Sequence, residues 1–202
     1  VAIERLYADR LSEQVERLAH HALRGQLWDQ AVRYSRQAGN RALDRSALRE
    51  ALAHFEQARV ALPELPESRE RTEQRIDLCF EQRDALWPLG EFARVGEVLN
   101  EARALADGLG DQRRLGQTLG RQAILYTHLA EYARSIEAAE RACAIAEAVG
   151  DLGQRVVANY SLGQALWHVG DPRRAADTLY AGIALVTGAP PGERFGRSTL
   201  TA

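Results

Sequence analysis

Apolar residues recur every three or four positions along most of this chain, in blocks separated by short polar turns, which is the spacing of one helix face. Ile136, Ala139, Ala142, Cys143 and Ala146 form one such block. β-branched residues are sparse and nowhere alternate as a strand would, so helix dominates the prediction. The turns themselves repeat. Leu89-Gly90-Glu91-Phe92, Leu129-Ala130-Glu131-Tyr132 and Val169-Gly170-Asp171-Pro172 follow one another at 40-residue intervals. Leu109-Gly110-Asp111 and Val149-Gly150-Asp151 interleave with them at the same period. In Leu-Gly-Asp the glycine can take the left-handed conformation that ends one helix, and the Asp can cap the next. Asp171-Pro172 reads as an N-cap followed by proline at the first helical position. Two interleaved turn signals with one period predict stacked helix hairpins, because a single hairpin cannot cover its own apolar face.

The N-terminal third departs from this spacing. Residues 3–24 read as one amphipathic helix carrying Leu6, Leu11, Val15, Leu18 and Leu23. A second helix is predicted over 28–43, after Gly25-Gln26, and a third over 47–62, stopped by Pro63-Glu64-Leu65-Pro66. The predicted organisation is an irregular hairpin segment over 1–66 and three regular repeats over 67–110, 111–150 and 151–186. About nine helices are expected in all. After Val186 the composition turns to Gly, Pro, Ser and Thr, and 187–202 is expected to be a flexible tail or a connector.

Composition narrows the function classes. The 26 basic residues are all Arg, and with 28 acidic residues interleaved among them the formal net charge is −2. That balance offers no basic stripe for nucleic acid. No apolar run is long enough to span a membrane and no signal peptide is evident, so a cytoplasmic protein is expected. Cys79 and Cys143 lie in apolar helical contexts without metal-binding spacing and read as reduced core residues. The start at Val1 and the lack of Met lead us to expect a piece of something longer.

These residues resemble the tetratricopeptide repeat over roughly 25–186. The last unit, with Leu162-Gly163, Leu166, Gly170-Asp171, Ala175, Leu179 and Gly182, follows that family's pattern of large and small residues. The unit with Tyr126, Ala130-Glu131-Tyr132, Ser135, Ala139 and Ala142 is a degenerate copy, and that around Gly90-Glu91-Phe92 is similar. The resemblance implies an all-α solenoid of antiparallel hairpins, with repeats of 40 residues and helices longer than usual for the family. A narrower likeness lies in Ile3-Glu4-Arg5-Leu6-Tyr7, Val15-Glu16-Arg17-Leu18-Ala19-His20-His21 and Trp28-Asp29-Gln30-Ala31-Val32. These are similar to the junction after an ATPase domain in large bacterial signalling proteins. Such proteins join a STAND-type ATPase and a repeat array to an adenylate or guanylate cyclase domain or a LuxR-type DNA-binding domain. Arg194-Phe195-Gly196 resembles a connector within such arrays. A phosphate-binding Gly-x-x-x-x-Gly-Lys-Ser/Thr loop needs a lysine, and the chain has none.

In the repeat family the first helix of each hairpin lines the concave face. Mapped onto that pattern, the face carries Phe80, Asp84 and Trp87, then Ile124, Thr127 and His128, then Tyr160, Gln164, Trp167 and His168. This mixture suits capture of a peptide or helix in a groove. Trp87 and Trp167 serve either as groove anchors or as fillers between long helices. Relatives that bind a terminal carboxylate use Lys and Asn on this face, whereas Phe80, Asp84, Tyr160 and Gln164 stand here, so that binding mode is not expected. His128 and His168 hold equivalent positions one repeat apart but lack a third ligand, and His20 and His21 point about 100° apart, so all four read as surface histidines. Carboxylate pairs such as Asp77/Glu81 and Glu137/Glu140 read as solvated helix faces, and the arginines at 69–75 and 113–114 as salt-bridged surface.

The expectation is a non-catalytic scaffold without metal or cofactor. It would engage a protein or peptide, or other domains of the same polypeptide, and not nucleic acid or membrane. A regulatory arm of a cyclase or transcription factor is the alternative, and self-association as a homodimer a third.

Overall fold

A computed structural model describes residues 14–187, together with the backbone of 194–195 and 198–199. Among the described residues there are nine α-helices, as the hydrophobic period predicts. They are α1 Val15–Arg24, α2 Trp28–Asp44, α3 Leu48–Ala61, α4 Arg69–Leu86, α5 Phe92–Leu109, α6 Gln112–His128, α7 Tyr132–Ala148, α8 Leu152–His168 and α9 Pro172–Thr187. A 3-10 turn over Leu62–Glu64 follows α3. The first part of the helix predicted over 3–24, with Leu6 and Leu11, lies outside the described residues. So does most of 187–202, where β1 Arg194–Phe195 pairs antiparallel with β2 Ser198–Thr199. No described helix is long and apolar enough to cross a membrane.

The chain divides into two compact units, residues 1–102 and 103–202. In the first, α1 packs on α2, α2 on α3, and α3 and α2 on α4. Val15, Leu18, Ala19 and Ala22 of α1 meet Ala31, Val32, Tyr34 and Ala38 of α2, with Ala61 and Leu62 closing the cluster. Many core positions are alanine, so the helix backbones approach closely and leave little room for growth. Gly39 is the tightest point. A Cβ there would lie 2.3 Å from Cε1 of Phe55, a fully buried ring on α3. In the second unit α6, α7, α8 and α9 pack as successive antiparallel hairpins, and α6 also meets α8. Gly116 gives way to Ile145 on α7 and Gln154 on α8, and Gly163 to Leu179 on α9.

The turns form as their residues require. Ser68, Asp111 and Asp151 each accept a hydrogen bond from a backbone N–H three residues on, capping α4, α6 and α8. Asp171 does the same for Arg174 at 3.2 Å, with Pro172 opening α9. Between α6 and α7, Ala130 stands where the other repeats have Gly90 and Gly170, and it adopts the same left-handed backbone with φ 59°.

Two substitutions test this packing. Gly39→Ala should lower stability by about 1–3 kcal/mol, since the new methyl group meets the Phe55 ring. Ala130→Gly should raise it by about 0.5–1 kcal/mol by relieving a left-handed alanine. Denaturant unfolding of each variant measures both.

Candidate functional site

In the first unit, the polar faces of α2 and α4 enclose a cleft of about 310 Å³. Asp29, Arg33, Arg36 and Asn40 line it from α2, Gln74 and Glu81 from α4, with Val32 as its apolar wall. Its fixed element is a two-pronged ion pair. Arg36 donates from Nε and Nη2 to the Glu81 carboxylate at 2.9 and 2.8 Å, and Asn40 Nδ2 donates to the same carboxylate at 3.2 Å. Both charged side chains are largely withdrawn from solvent, at 25% and 17% exposure. Burial alone would make Arg36 easier to deprotonate. The hydrogen bonds and charge of Glu81, with Asp77 beyond, outweigh it and raise the guanidinium's pKa. The result is a polar, charge-balanced recess held rigid by side chains 45 residues apart in sequence.

Sequence reasoning placed Glu81 on a solvated face, and the structure instead ties it to Arg36 and Asn40. The signal was weak: Arg36 and Asn40 lie one turn apart on one face of α2, in the segment where the repeat period fails.

The predicted groove residues separate into distinct environments. In the first unit Phe80 is buried at 8% exposure and belongs to the core. Asp84 and Trp87 come together around Arg83, whose Nη1 donates to Asp84 Oδ1 at 3.1 Å while its guanidinium lies 4.6 Å over the Trp87 ring. Trp87 also makes a T-shaped contact with Phe92, ring centroids 5.3 Å apart, so it fills the hairpin corner. In the second unit Ile124 is half-buried and His128 exposed. Thr127 Oγ1 hydrogen-bonds Ser135 Oγ across the hairpin at 2.7 Å. His168 stacks on Tyr132 with ring centroids 4.9 Å apart. Gln164 donates to Tyr160 Oη at 2.8 Å, and Tyr160 and Trp167 project into solvent at 54% and 66% exposure.

Glu16, Glu50 and His54 form the one described group with metal-ligand donors gathered together. Arg45 already bridges it, its Nη2 lying 3.3 Å from Glu16 and 2.8 Å from Glu50, so a cationic group occupies the place an ion would take. The arginines at 69–75 and 113–114 form the expected bridges, to Glu73, Glu67, Glu101, Asp151 and Asp111. Both cysteines are free. Cys79 is buried as predicted, whereas Cys143 is only half-buried, beside Asn159. Burial pushes the Cys79 thiol up to about 12 and the Cys143 thiol to about 11.

Solved structures share this fold. The chain aligns with BtubC from P. vanneervenii at a TM-score of 0.72 and 18% identity, covering 96% of this chain and 82% of that one. A putative kinesin light chain from Podosopora anserina with nearly identical TPR-like repeats aligns at 0.60 and 16%, covering 87% and 94%. A Rap protein complexed with competence and sporulation factor aligns at 0.66 and 14%, covering 78% of this chain. The chain spans 43% of that Rap protein's length. No protein-family profile matches the chain, and no curated relative does. The fold is that of a tetratricopeptide-like helical repeat.

Removing one partner of the cleft's ion pair leaves the other half-buried without its match. Arg36→Ala should therefore cost about 1–3 kcal/mol. The double change Arg36→Met with Glu81→Leu should recover most of it, as read by denaturant unfolding. The thiols give a pH test. Their pKa values lie above the ordinary 9.0, so the stability they add is complete below pH 9.0 and is lost as pH rises through about 11 and 12. Alkylation of Cys143 in the folded chain should accelerate only near its raised pKa, well above a free thiol's.

Proposed function

We propose that this chain is a non-catalytic interaction scaffold whose α2/α4 cleft receives an extended segment of a protein or peptide. The observation that carries this reading is the fixed, charge-balanced polar lining around Arg36, Asn40 and Glu81. A cleft whose own charges cancel suits a peptide's main chain and neutral polar side chains, which need directed hydrogen bonds more than a field. Glu81 is spent on Arg36 and Asn40, so it serves as a structural brace and not as a general base. In the second unit, exposed Trp167 offers the kind of aromatic anchor that concentrates binding energy. The Rap structure is a complex with a factor it binds, and a similar use of this fold supports the reading.

The finer proposal is that these repeats are an arm of a larger bacterial signalling protein with ATPase and cyclase or DNA-binding domains. It rests on the junction-like residues at 3–7, 15–21 and 28–32. A phosphate-binding loop encoded upstream would support it.

Peptide display against the purified chain tests the scaffold reading. Selected peptides should lose about tenfold or more in affinity on Asn40→Ala or Gln74→Ala and change little between low and high salt. Trp167→Ala probes the second unit in the same assay. Binding that collapses with salt, or that ignores every one of these variants, sinks the proposal.

A further inference from the structure

One stripe of α8 carries two side chains that project and one that recedes. Tyr160, Gln164 and Trp167 follow one another at four and three residues, so they share a helix face. Tyr160 and Trp167 are 54% and 66% exposed, whereas Gln164 between them is half-buried. Both rings stay this open although the β1 backbone lies against α8. In the same unit α6 meets α8, and the positions one repeat back are Gly120, Ile124 and Thr127. Little projects from these. A Cβ at Gly120 would meet nothing within 4 Å, Ile124 is half-buried, and Thr127 Oγ1 is turned to Ser135 Oγ at 2.7 Å. Two aromatic rings thus rise from a low shelf, with Gln164 as the floor between them.

The polar groups on this stripe have a direction. Gln164 Nε2 donates to Tyr160 Oη at 2.8 Å, which fills a lone pair of the phenol and leaves its O–H hydrogen for another acceptor. The indole N–H of Trp167 can only donate. Each ring therefore presents an apolar face with a hydrogen-bond donor beside it, and none of the three side chains carries a charge. A matching ligand is apolar, supplies carbonyl acceptors and brings few N–H groups. Proline meets these conditions, because its ring is apolar and its peptide nitrogen carries no hydrogen. The spacing agrees. Seven residues of α-helix rise about 10.5 Å, and one three-residue turn of polyproline II rises about 9.3 Å.

We propose that the α6/α8 shelf binds a proline-rich segment in the polyproline II conformation. Prolines three residues apart pack on Tyr160 and Trp167, and carbonyls beside them accept from the phenol and the indole. Such a segment arrives already extended, so little chain entropy is lost on docking. The proposal rests on the reading of this chain as a peptide-binding scaffold, but on no residue of the α2/α4 cleft.

Fluorescence anisotropy of labelled decaproline, titrated with the full chain beside a labelled Gly-Ser peptide of equal length, tests this. Decaproline should bind about tenfold or more tighter than the flexible peptide. Trp167→Ala and Tyr160→Ala should each weaken it by about tenfold or more. Tyr160→Phe keeps the ring and loses the donor, so it should weaken binding only several-fold. Asn40→Ala, in the cleft, should leave it unchanged. Both rings are exposed, so these variants keep the fold, with circular dichroism as the check. No binding of decaproline, equal binding of the Gly-Ser peptide, or indifference to Trp167→Ala and Tyr160→Ala overturns the proposal. Loss on Asn40→Ala instead places decaproline in the cleft and overturns it too. Failure of decaproline while display-selected peptides still depend on Asn40 sinks this site and leaves the cleft standing.

Discussion

Helix approach without a side chain at the contact point is what the packing of each unit depends on. Phe55 lies over Gly39 in the first unit, and Leu179 over Gly163 in the second, each at a distance that no Cβ would allow. Alanines extend the same contact along the helices, from Ala31, Ala38 and Ala42 to Ala138, Ala139 and Ala142. Such seams stabilise through close dispersion contact more than through the area of any one side chain. They also fix the rotational setting of each helix, because only one face is narrow enough to meet its neighbour. Which polar residues share a cleft follows from that setting.

The period made most of this readable from sequence. A turn every 20 residues or so, with Asp in the capping place, located the starts of α6, α8 and α9 to within a residue. The glycine rule failed at Gln26, Ser46 and Ala130, which take the left-handed backbone without being glycine, and at Ala130 the neighbouring repeats still marked the position. What stayed hidden was contact between residues far apart in sequence. Arg36 and Glu81 sit in segments that the period does not relate, so nothing local announced their pairing. A carboxylate on a charged helix looks solvated until its partner helix is placed beside it.

Register predicted position better than environment. Trp87 and Trp167 are two periods apart and occupy the same place on their helices. Trp87 is held by Arg83 over its ring and by a T-shaped contact with Phe92. The corresponding neighbours of Trp167 are Gly163 and Pro172, which offer neither a guanidinium nor an aromatic edge, and the indole stands in solvent. Which tryptophan is packed and which is exposed therefore follows the residues four before and five after each one. The same holds for Phe80 and Tyr160, one buried and one exposed at a shared register position.

A repeat fold constrains its regular parts and leaves its irregular parts available for function. Where the 40-residue period is kept, most contact positions are glycine, alanine or leucine, joined by buried Thr118, Gln122, Ser135 and Ser161, and their chemistry is spent on stacking. Along α2, where the period lapses, the contact face is still narrow, with Ala31, Ala38, Gly39 and Ala42 buried, and the polar residues gather on another face. Asp29, Arg33, Arg36 and Asn40 share one stripe there and face a second polar helix. An ion pair in such a place adds little net stability over an apolar pair, since both charges must be desolvated. Its gain is geometric: it holds two helices at a set distance while leaving hydrogen-bonding groups beside it pointed into a recess. The polar recess thus lies where the sequence departs from the repeat.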